Sequence, residues 1–150
     1  MAVTAYFYGN FFKAAFNKEI DLDSDVIKLM LCTSSYTPNQ DTHDYKNDVT
    51  NECSGPGYTA GGATVTGMTV SYNAGTNVCS FDANDVSWNA VTLIGGNAPR
   101  YAVLYDSSPG SDATRPLIGY IDFGGTDYAP NGGTLTVKWD SSGIGAVTVS

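Results

Sequence analysis

A series of short segments in which apolar and polar residues alternate constrains this chain more than any other feature. Residues 134–139 are the clearest case, with Leu135, Val137 and Trp139 at alternate positions. Such alternation places the apolar side chains on one face of a β-strand. Runs of Gly, Asn, Ser and Pro, which favour turns, separate these segments. The pattern predicts an all-β domain, an antiparallel β-sandwich or a barrel-like sheet.

The same reading along the chain locates the individual elements. We predict strands at residues 2–8, 26–32, 68–72, 78–81, 86–94, 100–105, 116–123, 134–139 and 144–149, and a short helix at residues 11–17. Residues 26–32 are largely apolar on both faces, which is typical of a central strand. Trp88 and Trp139 fall in alternating strands and are expected in the core. Because no repeat or linker divides the 150 residues, we expect one domain over residues 1–150.

The first seventeen residues are rich in aromatic side chains. Two interpretations are open: the rings cap the core, or the segment is an arm that docks on another subunit, since Tyr and Phe are enriched in interface cores. On the second, deletion of residues 1–16 should leave the domain folded. The rings are Tyr6, Phe7, Tyr8, Phe11, Phe12 and Phe16.

Residues 33–62 show no hydrophobic period and contain many Asn, Asp, Gly and Pro residues. We expect a long surface loop with one helical turn at residues 43–49. A structureless stretch of this length inside a compact domain indicates a functional loop.

The charge balance limits the classes of partner. Seven Lys and Arg residues face fifteen Asp and Glu residues, which gives a formal net charge of −8. Nucleic-acid binding relies on basic residues that neutralise phosphates, so we expect no nucleic-acid partner. The same sign argues against anionic membranes, and no apolar stretch approaches the length of a transmembrane helix. A signal peptide also fits the first residues poorly.

One acidic run has the spacing that opens a calcium-binding loop. Asp21, Asp23 and Asp25 occupy alternate positions, as calcium-ligating oxygens do in such loops. The sixth position should be Gly and the twelfth Glu, but they are Val26 and Cys32. We therefore expect a solvated acidic turn and no metal.

The remaining reactive side chains form no catalytic pattern. His43 is the single histidine, and the three cysteines (Cys32, Cys53 and Cys79) lack metal-ligand spacing. We expect buried reduced thiols, with one disulfide plus a free thiol as the alternative. No nucleophile, dinucleotide or metalloprotease motif is found, so the sequence predicts neither an enzyme nor a cofactor.

Four blocks occur in a characteristic order. They are Leu-Met-Leu-Cys-Thr-Ser-Ser-Tyr-Thr-Pro-Asn-Gln-Asp-Thr-His at residues 29–43, Gly-Tyr-Thr-Ala-Gly-Gly at residues 57–62, Arg-Tyr-Ala-Val-Leu-Tyr-Asp at residues 100–106, and Pro-Leu-Ile-Gly-Tyr-Ile-Asp-Phe-Gly at residues 116–124. This order resembles a family of virion structural proteins of tailed bacteriophages. Cys53, Cys79 and the aromatic start depart from the family pattern. The resemblance implies a virion component, on the head or on the tail.

Charge favours the outside of the head, where an acidic protein does not face packaged genome. We expect a capsid decoration (cement) protein that binds the major capsid protein and neighbouring copies of itself, as a dimer or trimer on the virion exterior. A tail-associated tube, collar or fibre-base subunit is the alternative, and a carbohydrate-binding module is the alternative of another class. The candidate contact residues are Tyr6, Phe7, Tyr8, Phe11, Phe12, Phe16, Tyr36, His43, Tyr45 and Tyr58.

Overall fold

The computed structural model describes residues 2–125 and 128–150. They form an all-β fold with antiparallel strands and one short α-helix, which confirms the predicted class. Among the described residues the sheets do not close into a barrel. The elements are β1 Thr4–Phe7, α1 Gly9–Phe16, β2 Ile27–Cys32, β3 Ala63–Thr64, β4 Thr69–Asn73, β5 Val78–Asp82, β6 Val86–Thr92, β7 Tyr101–Asp106, β8 Leu117–Asp122, β9 Asn131–Val137 and β10 Gly145–Thr148.

The described residues form three sheets. The largest has five strands in the order β1-β8-β7-β2-β3, the second has three in the order β10-β5-β4, and the third pairs β6 with β9. β2 lies inside the five-stranded sheet, and five of its six residues are buried. Burial on both faces explains why its sequence is an apolar run without alternation.

Each face of the five-stranded sheet carries a separate core. On one face Leu29, Leu31 and Leu104 pack with side chains of the other two sheets, including Trp88 and Val137. Because successive side chains of a strand point to opposite faces, the residues that alternate with these leucines point to the other face and pack in the second core.

The second core lies beneath the long loop. Met30 and Val103 from the sheet pack there with Tyr36 from the loop. Residues 33–62 contain one 3-10 turn, Lys46–Asp48, and no strand. The expected long loop and its helical turn are therefore present, and the loop covers one face of the sheet.

Several boundaries differ from the expected ones. β9 begins three residues earlier than predicted, because Asn131 already pairs with Thr92 of β6. It ends before Trp139, whose backbone N–H donates to the side chain of Asp85 (3.0 Å) in place of a strand partner. The two-residue strand β3 was not predicted, since two residues carry no periodicity.

Residues 2–17 are packed into the domain, which agrees with the first of the two interpretations, that the aromatic rings cap the core, and leaves no projecting arm among these residues. β1 is hydrogen-bonded along β8 with Tyr6 opposite Tyr120, and Tyr8 and Phe11 are buried. The aromatic side chains gain more from burial than from exposure, so the segment is part of the domain.

All three cysteines are free thiols. Cys32 and Cys53 are buried, as expected, and Cys79 is half-buried on β5. Within the described parts of the chain, no helix has the length and hydrophobicity needed to cross a membrane.

Candidate interaction surface

Three tyrosine rings form a row on the five-stranded sheet, on the face that carries the second core. Tyr6 and Tyr120 stack with ring centroids 5.3 Å apart, and Tyr101 meets Tyr120 edge-on at 6.4 Å. Tyr6 is 44% exposed, and the other two rings are half-buried. Together with Arg100, these residues are called the tyrosine surface below.

Strand register explains why these side chains meet. Tyr6 of β1 lies directly opposite Tyr120 of β8, and Tyr101 of β7 lies opposite Asp122, two residues further along β8. Directly opposed residues of antiparallel strands point to the same face, and so do residues two apart in one strand. The row therefore crosses three neighbouring strands.

A charged pair borders the row. Arg100 Nε lies 2.7 Å from Asp122 Oδ1, and Nη2 donates to Oδ2 at 3.0 Å. The Nε–H is not aimed well enough at Oδ1 to count as a hydrogen bond, so the contact is an ion pair with one good hydrogen bond. The guanidinium also lies 5.5 Å from the centre of the Tyr101 ring.

The Asp122 carboxylate is charged at neutral pH. Partial burial raises its pKa, but hydrogen bonds from Arg100 and from the Gly124 backbone N–H outweigh burial, and the net pKa is below the ordinary value. The tyrosine surface therefore presents aromatic rings beside an oriented pair of opposite charges.

A chain of three polar side chains lies beside the row on the same face of the sheet. The hydroxyl oxygens of Tyr8 and Tyr36 lie 2.8 Å apart, and the Tyr36 hydroxyl lies 3.0 Å from Nδ1 of His43. Burial raises the pKa of Tyr8 and raises that of Tyr36 to about 12, so both hydroxyls stay protonated and can donate. The Tyr8 ring also packs against Tyr120 with centroids 5.2 Å apart.

Three further hydrogen bonds join the N-terminal segment to the long loop. The Gln40 side chain donates to the carbonyl of Phe7 (2.8 Å), and the backbone N–H of Gly9 donates to the carbonyl of Gln40 (2.9 Å). The Asn10 side chain donates to the carbonyl of His43 (3.3 Å). The two segments that contain the candidate contact residues, residues 6–16 and residues 36–58, are therefore one structural unit.

The candidate contact residues divide by location. Tyr8, Phe11 and Tyr36 are buried and unavailable to a partner in this conformation. Phe7 and Phe12 pack around Phe11 in the main core. Two candidate contact residues, Tyr6 and His43, have exposed or half-buried rings beside the tyrosine row.

Three candidates lie apart from this row. Phe16, at the end of α1, is 85% exposed. The Tyr45 hydroxyl donates to Glu19 (2.8 Å), which ties the loop to the chain after α1. The Tyr58 hydroxyl donates to Glu52 (2.7 Å) and accepts from the backbone of Leu31, so it fastens the end of the loop to β2.

Sequence reasoning missed Tyr101, Tyr120 and Arg100. Each lies in a segment correctly predicted as a strand or directly before one, and the alternation in residues 100–105 and 116–123 allowed outward positions for the tyrosines. They would have been found from the pairing of β8 with both β1 and β7. The pairing of β1 with β8 joins distant parts of the chain and leaves no local pattern.

The two buried cysteines are protonated at neutral pH. Burial raises the pKa of Cys32 and raises that of Cys53 to about 12, so neither is a thiolate at neutral pH. Among the described residues, no three His, Cys, Asp or Glu side chains come close enough to hold a metal ion.

Comparisons with protein-family models, with curated proteins and with solved structures found no match to this chain.

Proposed function

We propose that this protein is a capsid decoration protein, which binds the outside of a tailed-phage head through the tyrosine surface and stabilises the shell. The observation that carries the proposal is the row of Tyr6, Tyr120 and Tyr101 beside Arg100 on a sheet face that the long loop leaves partly open. The order of sequence blocks, which resembles virion structural proteins, supports the same class.

The composition of the surface suits a protein partner. Tyr and Arg are among the residues that contribute most to protein interfaces, because each offers a large contact area together with a hydrogen-bonding group. A standard interface buries about 800 Å² on each partner, so we expect contacts beyond the row to include His43 and the loop around it.

Rigidity also favours binding. The buried contacts of Tyr8 with Tyr36 and Tyr120 hold one side of the row in place in the free protein. A preorganised surface loses less conformational entropy on association. Bound only to assembled shells, such a protein stabilises the shell by mass action.

The net charge of −8 is consistent with a position outside the shell. A surface of this sign repels packaged genome, and the cation of the row, Arg100, is already paired with Asp122. The expected partners are the major capsid protein and neighbouring copies of this chain.

Binding to empty heads tests the proposal. Heads of the phage that carries this protein, prepared without it, are incubated with purified protein, and the bound fraction is measured by sedimentation. Tyr6→Ala should weaken binding about tenfold or more, as loss of a central tyrosine typically does. Tyr72→Ala is the matched control, since Tyr72 is an exposed tyrosine (56%) on β4, in another sheet.

The outcomes separate the alternatives. Equal binding by both variants would show that the tyrosine surface does not contact the head. Absence of binding to heads by the natural protein would overturn the decoration role. Imaging of whole particles then distinguishes a lattice of many copies on the head from a small ring of copies on the tail.

One observation also favours a carbohydrate-binding role. A row of partly exposed aromatic rings beside a carboxylate and a guanidinium resembles the way proteins offer apolar faces and hydrogen-bonding groups to sugars. Binding of the purified protein to a glycan array, lost in Tyr6→Ala and retained in Tyr72→Ala, would favour this second function.

A further inference from the structure

A polar pocket of about 310 Å³ lies where the long loop meets one end of β2 and β7. The charged residues that line it are Lys28, Lys46, Glu52, Asp112 and Arg115. Three of the seven lysines and arginines of the chain therefore border one pocket, in a protein whose net charge is −8. The five side chains give the pocket a net charge of +1, which is opposite in sign to that of the whole protein.

The side chain of Tyr105 lies among the cations of this pocket. Lys28 of β2 is directly opposite Tyr105 of β7, so both side chains point to the same face of the sheet. Lys46 Nζ, from the long loop, lies 5.7 Å from the centre of the Tyr105 ring. The Tyr105 hydroxyl donates to the carbonyl of Gly61 (2.8 Å), and burial raises the pKa of Tyr105 to about 12. The tyrosine is therefore neutral at pH 7 and adds no negative charge to the pocket.

Two of the cations are held side by side. The backbone N–H of Lys46 donates to the carbonyl of Arg115 (2.9 Å). The Asp112 carboxylate bridges the two side chains, with Oδ2 2.7 Å from Lys46 Nζ and Oδ1 2.7 Å from Arg115 Nη1. Hydrogen bonds from Lys46 and Arg115 hold the pKa of Asp112 below its ordinary value, so this carboxylate is charged at pH 7. A single carboxylate thus neutralises one of these two positive charges and leaves the other.

Several hydrogen-bond donors of the cations remain free after these contacts. Among the described residues, Lys28 Nζ forms no ion pair. Arg115 uses Nε for the carbonyl of Pro109 (2.9 Å) and Nη1 for Asp112, which leaves both N–H groups of Nη2 without a partner in the same part of the chain. Lys46 Nζ carries three N–H groups and donates one of them to Asp112. Each of the three cations can therefore still donate to a bound molecule.

The second carboxylate of the pocket is bound by other donors. Glu52 Oε1 accepts hydrogen bonds from the Tyr58 hydroxyl (2.7 Å) and from the backbone N–H of Gly61 (2.6 Å). These bonds orient the carboxylate and offset part of its charge. Within the described residues Glu52 forms no ion pair with any of the three cations, so it does not take the place of an anion between them.

We propose that this pocket binds a small oxyanion, a phosphate or a small carboxylate, between Lys28, Lys46 and Arg115. An anion with three or more oxygens can accept hydrogen bonds from three separate donors, and Lys and Arg are the side chains that bind phosphates and carboxylates. Ligand pockets typically enclose about 300–1,000 Å³, and this pocket is at the lower end of that range, which suits a small anion. The site goes beyond the proposed function and does not depend on it.

Titration calorimetry of the full-length protein, with inorganic phosphate and separately with citrate, tests the site. The titrations are made at pH 7 in a buffer of low ionic strength, because salt screens the attraction between exposed charges. We expect at least one of the two anions to bind at a single site, with a dissociation constant of about 1 mM or below. Lys28→Met should weaken this binding about tenfold or more, because it removes a hydrogen bond between charged groups. Lys46→Met, which removes a second donor, should also weaken it.

Lys138→Met is the matched control, since Lys138 is exposed outside the pocket and the substitution changes the net charge by the same amount. It should leave the dissociation constant within about twofold of that of the natural protein. Circular dichroism checks that each variant is folded. Binding of only one of the two anions would support the proposal and identify the ligand as a phosphate or a carboxylate. Absence of binding by both anions would overturn it, and so would equal weakening by Lys28→Met and Lys138→Met, because the anion would then respond to net charge alone.

Discussion

The hydroxyl oxygen of Tyr8 lies 2.8 Å from that of Tyr36, and both rings are almost completely buried. This contact joins Tyr8, the residue after β1, to the long loop. It lies beside the tyrosine surface, because the Tyr8 ring packs against Tyr120 and the Tyr36 ring meets Tyr101 edge-on. The pair therefore connects the stability of the loop with the shape of the tyrosine surface next to it.

Removal of the Tyr36 hydroxyl should lower the free energy of unfolding more than removal of the Tyr8 hydroxyl. Tyr36→Phe leaves the Tyr8 hydroxyl buried without its partner, and we expect a loss of about 1–3 kcal/mol in the free energy of unfolding. Tyr8→Phe should cost less, since the Tyr36 hydroxyl keeps His43 Nδ1 as a partner at 3.0 Å. Urea unfolding of both variants measures the difference.

The double variant, Tyr8→Phe with Tyr36→Phe, completes the cycle. Because no unpaired tyrosine hydroxyl remains, its loss should be smaller than the sum of the two single losses. Additive losses would show that the two hydroxyls are not coupled in the folded protein.

Two aspartates should give opposite dependences of stability on pH. Burial raises the pKa of Asp106, hydrogen bonds from Ser108 lower it, and nearby Asp25 raises it; the net pKa lies above the ordinary value. A carboxyl whose folded-state pKa is raised favours folding only while protonated. Its ionisation therefore lowers the free energy of unfolding as the pH rises above the unfolded-state pKa of about 3.9.

The Asp106→Asn variant has no carboxyl to ionise at this position, so its free energy of unfolding at pH 7 should exceed that of the natural protein. The difference should shrink towards pH 3. Asp122→Asn is the matched comparison, because the net pKa of Asp122 is lowered. This variant should be less stable at pH 7, and its deficit should shrink as the pH falls through the lowered pKa. Urea unfolding across this range measures both, and slopes of the same sign would contradict the assignment.

Local patterns were sufficient for most elements of the fold. The apolar run of residues 26–32 and the turn residues between positions 73 and 78 place β2 and the hairpin of β4 and β5 within one or two residues. Alternation depends on which face of a strand is buried, and this information lies within a few neighbouring residues.

The role of Tyr36 was not predictable in this way. The sequence favoured it as a contact residue because it lies in a loop and combines a ring with a hydroxyl. In the structure its hydroxyl is paired with Tyr8, and the ring is buried. Burial of a loop residue depends on which distant strand lies beneath the loop, and no local period records that.

Deletion of residues 1–16 should unfold the domain, contrary to the expectation from sequence. The deletion removes β1 and the buried rings of Tyr8 and Phe11, each of which contributes about 2 kcal/mol through burial. With the lost strand pairing, this approaches the total stability of a typical domain, about 5–15 kcal/mol. Removal of residues 1–3, whose described members Ala2 and Val3 are exposed, is the control and should leave circular dichroism unchanged. A folded protein after the longer deletion would show that β1 is dispensable.

Gly62 closes the long loop against β2 and should not tolerate a side chain. Its φ is +79°, in the left-handed region that favours glycine, and a Cβ atom there would overlap the carbonyl oxygen of Leu29. Since that oxygen belongs to the backbone of a central strand, it cannot move aside easily. Gly62→Ala should therefore lower the free energy of unfolding by about 3 kcal/mol.

Gly96→Ala is the matched control for this substitution, because a Cβ atom at Gly96 meets nothing within 4 Å. It should change stability by less than about 0.5 kcal/mol. Urea unfolding of the two variants distinguishes a specific close approach of the loop to β2 from a general effect of replacing glycine. Equal, small losses would mean that the end of the loop does not approach the backbone of β2 as closely as the structure shows.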